Sequence, residues 1–153
     1  MTCHCYRRLG PRGSIGVMYE FFEHTADLGL RVRAADLDSL FAEAATALFS
    51  AIVEDLRAVR QVQCIEVRIA GDNREFLLFD WLKELLYRFD AEHLLFSRFE
   101  PMVTADGLTG AAWGEPLDRT RHELAHEVKA ITYHGLRVEQ TAESWLAEFI
   151  VDI

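Results

Sequence analysis

Two short stretches at opposite ends of the chain carry the side chains best suited to chemistry. HTADLGL, residues 24–30, sets His24, Thr25 and Asp27 between the aromatic run YEFF and the alternating run LGLRVRA. IVDI, residues 150–153, ends on Asp152 and Ile153. Ile153 is expected to carry the terminal carboxylate, with a pKa of about 3.3–3.7. Asp152 and Ile153 would then place two negative charges within one residue. Neighbouring carboxylates repel unless protons or a cation compensate. If Asp27 joined them, three carboxylates would converge. A hard divalent cation is the natural counter-charge, with Ca2+ at about 2.3–2.6 Å and Mg2+ at about 2.0–2.1 Å from oxygen. Spacing alone leaves a plainer reading open, a polar turn and an exposed tail.

Three more residues share that ambiguity. In VKAITYH, strand alternation puts Lys129, Ile131 and Tyr133 on one face and Ala130, Thr132 and His134 on the other. Lys129 could offset a carboxylate cluster or meet a phosphate. Equally, Lys129 could be an ordinary exposed lysine, with His24 and His134 as turn residues. Catalytic signatures are missing: there is no G-x-x-x-x-G-K-[ST], G-x-G-x-x-G or H-E-x-x-H, and no G-x-S-x-G. Cys64 falls inside a strand pattern and is expected to be buried and inert. Cys3-His4-Cys5 lacks the ligand spacing of a zinc site and reads as part of a leader.

These residues need a scaffold, and the apolar pattern supplies one. Segments 19–23 and 28–34 alternate as strands. Asp36 reads as an N-cap before Leu37, Leu40, Phe41, Ala44, Leu48 and Ile52, the stripe of an amphipathic helix of about four turns. Residues 57–61 form a polar connection and 62–70 a strand. Asp72 and Glu75 resemble a capping box for a second helix, whose stripe is Leu78, Trp81, Leu82, Leu85 and Phe89. Residues 94–106 read as a strand, with Pro101 marking an edge or bulge. Asp106-Gly107 marks a hairpin turn, and LTGAAWG is the returning strand. EPLDRTRHELAH, 115–126, is a polar connection without periodicity. EVKAITYHGLRVEQ and SWLAEFIVDI are a final strand pair. Two helices among about seven strands predict an α+β fold: largely antiparallel β-sheet, with two amphipathic helices packed on one face.

Composition narrows the function. The chain has 153 residues, half of them hydrophobic, enough for one cored domain. Residues 19–153 are read as that domain and 1–18 as an extension expected to lack order, with Met18 a candidate start. There is no apolar run of about 20 residues for a membrane span and no signal-peptide core. The expected location is therefore the cytoplasm. The formal net charge is −9. Residues 1–17 hold three arginines and no acid, so the remainder stands at −12. Such a domain is poorly suited to grip DNA or RNA by itself and better suited to a basic protein or to cations. An odd count of three cysteines argues against a disulfide framework.

Taken in order, HTADLGL, LFAEAATALF, LLFDWLKELLYRFDAEHLLFSRF, GEPLDRTRHE, EVKAITYHGLRV and WLAEFIVDI resemble the archease family across residues 19–153. The resemblance implies an accessory protein, not an enzyme, that activates an RtcB-type RNA ligase in tRNA splicing and RNA repair. That ligase joins 2′,3′-cyclic phosphate or 3′-phosphate ends to 5′-hydroxyl ends through a guanylylated histidine. The family promotes guanylylation and multiple turnover, so tRNA would be met only indirectly. The resemblance also implies a metal site at Asp27, Asp152 and Ile153, for Ca2+ with Mg2+ or Mn2+ as alternatives. Lys129, His24 and His134 would be supporting or partner-facing residues. A metal-dependent phosphoesterase and a chaperone-like protein with an exposed apolar patch are the competing readings.

Overall fold

A computed structural model describes residues 18–24 and 27–153, without the side chains of Glu23 and His24. The leader with Cys3-His4-Cys5, and Thr25 and Ala26, lie outside the described residues. Seven strands and two helices follow in order: β1 (Met18–His24), β2 (Asp27–Ala34), α1 (Leu37–Ile52), β3 (Gln63–Ala70), α2 (Arg74–Glu92), β4 (Leu94–Val103), β5 (Gly107–Pro116), β6 (Ala130–Gln140) and β7 (Trp145–Asp152). One sheet has strand order β1-β2-β7-β6 and the other β3-β5-β4. Every pairing is antiparallel. The α+β class read from the sequence is the class observed. No helix among the described residues is long and apolar enough to cross a membrane.

The first helix is more apolar than a single stripe requires, because it has sheet on both sides. It touches β2 of one sheet and β4 of the other. Leu40, Phe41, Ala44, Ala45, Ala47, Leu48, Phe49, Ala51 and Ile52 are all buried. Alanines suit such a helix, since they allow close approach on several faces at no cost in side-chain entropy. Asp36 caps its start as expected, its carboxylate accepting from the Ser39 N–H at 2.8 Å. Phe49 packs against Phe96 and Phe99, with ring centroids 5.6 and 5.7 Å away. Trp81 of α2 donates its indole N–H to the Phe41 carbonyl at 3.0 Å, which satisfies the polar atom of a fully buried side chain.

Three local expectations need correction. Asn73, not Asp72, caps α2: its side chain accepts from the Phe76 N–H at 2.9 Å. No capping box closes, because the N3 position is Phe76; Glu75 reaches across to accept from the Val138 N–H of β6 at 3.1 Å. Cys64 is exposed on edge strand β3, since alternation turns its side chain outward. Its thiol is held above the usual range by partial burial, then by Glu66, which keeps it a poor nucleophile. Pro101, by contrast, lies on edge strand β4 as expected. The bulge in that strand falls at Ser97, whose hydroxyl donates to the Val59 carbonyl at 2.9 Å.

The polar connection after β5 is ordered by two devices the sequence does not advertise. Its backbone caps α1, which has no basic residue in its last turn. The Ala125 N–H donates to the Ile52 carbonyl at 2.8 Å and the His126 N–H to the Ala51 carbonyl at 3.0 Å. Its start is pinned by a buried acid. Glu115 accepts from the Arg60 N–H at 2.8 Å, from Arg121 at 2.7 Å and from His122 Nε2 at 2.8 Å. The Asp118 N–H donates to His122 Nδ1 at 2.9 Å, so the ring proton sits on Nε2, facing Glu115. Burial pushes the Glu115 carboxyl up, but these hydrogen bonds outweigh it and hold the group below the usual glutamate range.

Two stability predictions follow from this packing. Phe49→Ala should cost about 3–5 kcal/mol, read as a lowered urea midpoint, and an unchanged midpoint would contradict the three-ring contact. Glu115→Gln should cost about 1–3 kcal/mol at pH 7. A depressed native pKa contributes its full stabilisation above the unfolded value, about 4.3, and loses it as pH falls from there through the lower folded value. The gap between wild type and variant should therefore narrow as pH falls through 4. A gap independent of pH would mean that the glutamate charge contributes nothing.

Candidate functional site

Asp27 opens β2 and Asp152 closes β7, and the two are direct partners in the β2–β7 ladder. Directly opposed residues point to the same face, with Cβ atoms about 4.5–5.5 Å apart. That face is the one away from the helices, because the next pair, Leu28 and Val151, turns toward the core. On the far side of Asp152 its ladder partner is Ala130 of β6. On the far side of Asp27 its partner is His24 of β1. Four strand ends thus align in one row. The Lys129 N–H donates to the Asp152 carbonyl at 2.7 Å, and the lysine side chain is exposed beside it. Lys129 stands just before β6 rather than inside it.

The end of the chain is not a loose tail. Strand β7 runs through Asp152, and the half-buried Ile153 packs its side chain against the core. Apolar anchoring fixes where the last residue sits while Asp152 stays exposed. Two like charges directly opposed destabilise a ladder unless something offsets them. Asp27 and Asp152 are hard oxygen donors, as a terminal carboxylate on Ile153 would be, and such donors suit Ca2+, Mg2+ or Mn2+ better than a soft metal. The described histidine, cysteine and acidic side chains form no group of three able to hold a metal by themselves. The third donor in the expected set is the terminal carboxylate.

His134 sits one row away, on a bulge. Strand β6 leaves its register with β7 between Thr132 and Arg137, so residues 133–136 stand out of the ladder. The His134 N–H turns back to Thr132 Oγ1 at 3.2 Å, and its side chain is exposed. Gly135 follows with φ +77°, lying on Ile150: a Cβ there would come within 3.0 Å of Ile150 Cδ1. Ile150 shares the face of Asp152, two residues back along the strand. The bulge also explains why Ile131 is buried and Tyr133 is not, although simple alternation gives them one face.

A clamp farther along the same face escaped the sequence reading. Glu148 accepts from Arg31 of β2 at 2.5 Å and from Arg137 of β6 at 3.1 Å, tying three strands together. Burial raises the Glu148 carboxyl, but Arg137 and Arg31 outweigh it and hold it below the usual range. Between clamp and aspartates, the Phe22 ring lies flat on Gly29, where any Cβ would fall 2.3 Å from a ring carbon. The signal was present in the alternation, which puts Arg31 on the polar face of β2 and Glu148 on the matching face of β7.

Known proteins share this fold and much of this sequence. The model of the Archease protein family (MTH1598/TM1083) matches residues 19–153. A protein archease of Sulfurisphaera tokodaii is 40% identical over 137 residues, spanning 88% of this chain and 98% of that one. A protein archease of Methanopyrus kandleri is 41% identical over 139 residues, spanning 88% and 99%. The solution structure of Methanobacterium thermoautotrophicum protein 1598 superposes with a TM-score of 0.78 at 37% identity, over 88% of this chain and 98% of that one. With sequence and fold matched over nearly the full length of these relatives, this chain belongs to the archease family.

Proposed function

We propose that this protein activates an RtcB-type RNA ligase in tRNA splicing and RNA repair, promoting ligase guanylylation and multiple turnover. The observation that carries the reading is the Asp27–Asp152 pair, set at a sheet end beside Lys129 and the chain terminus in a member of this family. Asp152 is exposed and Asp27 half-buried at the end of the sheet. That placement suits insertion into the active site of a partner. An acidic chain, −9 overall, is drawn to a basic protein surface and repelled by bare RNA. The ligase surface is thus the direct contact, with tRNA met only through it, in the cytoplasm.

Asp27, Asp152 and the Ile153 carboxylate would hold a divalent cation, with Ca2+ the first choice. When bound, it would supply a positive centre that offsets two of the three carboxylate charges and can polarise a phosphate oxygen. The residues themselves shape that end. Ile153 fixes the position of the terminal carboxylate by packing on the core. The Lys129 N–H holds the Asp152 backbone, and its exposed ammonium stands ready for an anionic group of the partner complex. His24 and His134 flank the row and are assigned to the same contact.

Asp27→Ala and Asp152→Ala should lower stimulation of ligase guanylylation at least tenfold while leaving the fold intact, as read by circular dichroism. Folded variants that stimulate like wild type would sink the proposal. Nucleotide or phosphoester turnover by the isolated protein would favour the enzyme reading instead. A C-terminal tag converts the Ile153 carboxylate into a neutral amide, so Ca2+ affinity by calorimetry should fall relative to an N-terminally tagged form. Equal affinities would remove Ile153 from the ligand set.

A further inference from the structure

Four half-buried aromatic rings of this chain are each covered by one of its own cations. Arg31 lies 4.7 Å from the Phe22 ring centre, Arg74 5.1 Å from Trp145, Arg98 4.2 Å from Trp113 and Lys83 5.7 Å from Phe79. Phe76 and Tyr133 are covered in a different way, by each other. Their rings stack on each other, centroids 5.2 Å apart and 14° from parallel, with the edge of Phe79 supporting Tyr133 at 5.6 Å. Yet the two residues are 53% and 46% exposed, and no cation of the described residues covers either ring. The pair joins the first turn of α2 to the β6 bulge, two elements that the Glu75–Val138 hydrogen bond already ties together.

Position and chemistry both point to a protein partner. Tyr133 follows Ala130, the ladder neighbour of Asp152, by three residues, so the Tyr133 and Ala130 Cα atoms lie no more than about 11 Å apart. The stack stands on the α2 side of the sheet and the aspartates on the other, so one partner meets both by wrapping the end of the sheet. An ordinary interface covers about 800 Å² per partner, ample to include both. An exposed ring stack presents a negative π face, which attracts a guanidinium. The overall charge of −9 adds attraction for a basic surface.

We infer that the Phe76–Tyr133 stack is a docking anchor for an arginine on a basic protein, the same protein that receives the Asp27–Asp152 end. The inference rests on the functional reading above and deepens it by separating two tasks. The stack supplies affinity, and the carboxylate end supplies activation. A nucleobase is the other natural occupant of a stacking platform, but an acidic chain repels the phosphates that come with it.

The test uses the full-length protein and the host's RtcB-type ligase. Phe76→Ala and Tyr133→Ala should each weaken binding about tenfold by calorimetry, while guanylylation at saturating protein stays at the wild-type level. Phe76→Leu and Tyr133→Leu keep bulk but lose the π face, and should follow the alanine variants. Tyr133→Phe should bind like wild type. Asp152→Ala should show the opposite split, losing stimulation more than binding. If wild type binds the ligase and the stack variants bind equally well, the anchor is wrong and the functional reading stands. If wild type does not bind the ligase, the functional reading fails and the anchor fails with it. Tight binding of single-stranded RNA that Phe76→Ala abolishes would also overturn the anchor, in favour of a base platform.

Discussion

The β2–β7 register is the constraint from which the rest of this molecule follows. Leu30 pairs with Phe149, Val32 with Ala147 and Leu28 with Val151, and these side chains form the floor on which α1 packs. Side chains alternate with period two, so a slip of one residue would turn that whole apolar set toward water. It would also drive Arg31 and Glu148 into the core beside α1. Burial of the floor thus excludes neighbouring registers. The register that survives places Asp27 opposite Asp152. The meeting of the two aspartates is a consequence of hydrophobic burial some distance away, with no local attraction between them.

That consequence is electrostatically costly, and the face around it limits the cost. The aspartates lie at the strand ends, Asp152 exposed to water, while Ile153 beyond it is held by apolar contact. Farther up the face the charge logic is reversed: Glu148 has two arginines and a carboxyl held below its usual range. The same face therefore carries one compensated acid in its interior and an acidic pair at its rim. Compensation inside secures the pairing of β2, β7 and β6. The acidic pair at the rim is of a chemistry suited to an external cation or a basic partner.

The sequence exposed most of the scaffold because helices and strands announce themselves by period. Asp36, the two apolar stripes and the terminal strand pair were all legible that way. Much of what escaped depended on contacts distant in sequence. Asn73 rather than Asp72 caps α2 through its own bond to the Phe76 N–H, and Glu75 is engaged by Val138, 63 residues away. The buried Glu115–His122 pair was hidden in a segment that looked merely polar, since one residue pattern serves a solvated loop and a satisfied buried network alike. Cys64 faces outward because it alternates with Ile65 and Val67, the apolar face of β3, a consequence of the strand period that the expectation of burial overlooked. For the site, local spacing suggested carboxylates at two chain ends but gave no reason for them to meet. Family resemblance supplied the pairing expectation, and the ladder supplied its geometry.

The least periodic segment, 117–129, turns out to connect the core to that rim. At its start the buried glutamate holds it, in its middle it caps α1, and at its end the Lys129 N–H holds Asp152. A helix with no glycine or basic residue at its C-terminus needs outside donors for its last carbonyls, and this segment provides them. The demand of α1 for capping therefore fixes the path that brings Lys129 to the aspartates. Groups placed by core packing and helix capping lose little freedom when a partner arrives, so more of the contact energy remains for binding. The Tyr133 bulge departs from the ladder only after this row is set, which keeps its aromatic contact separate from the geometry of the carboxylates.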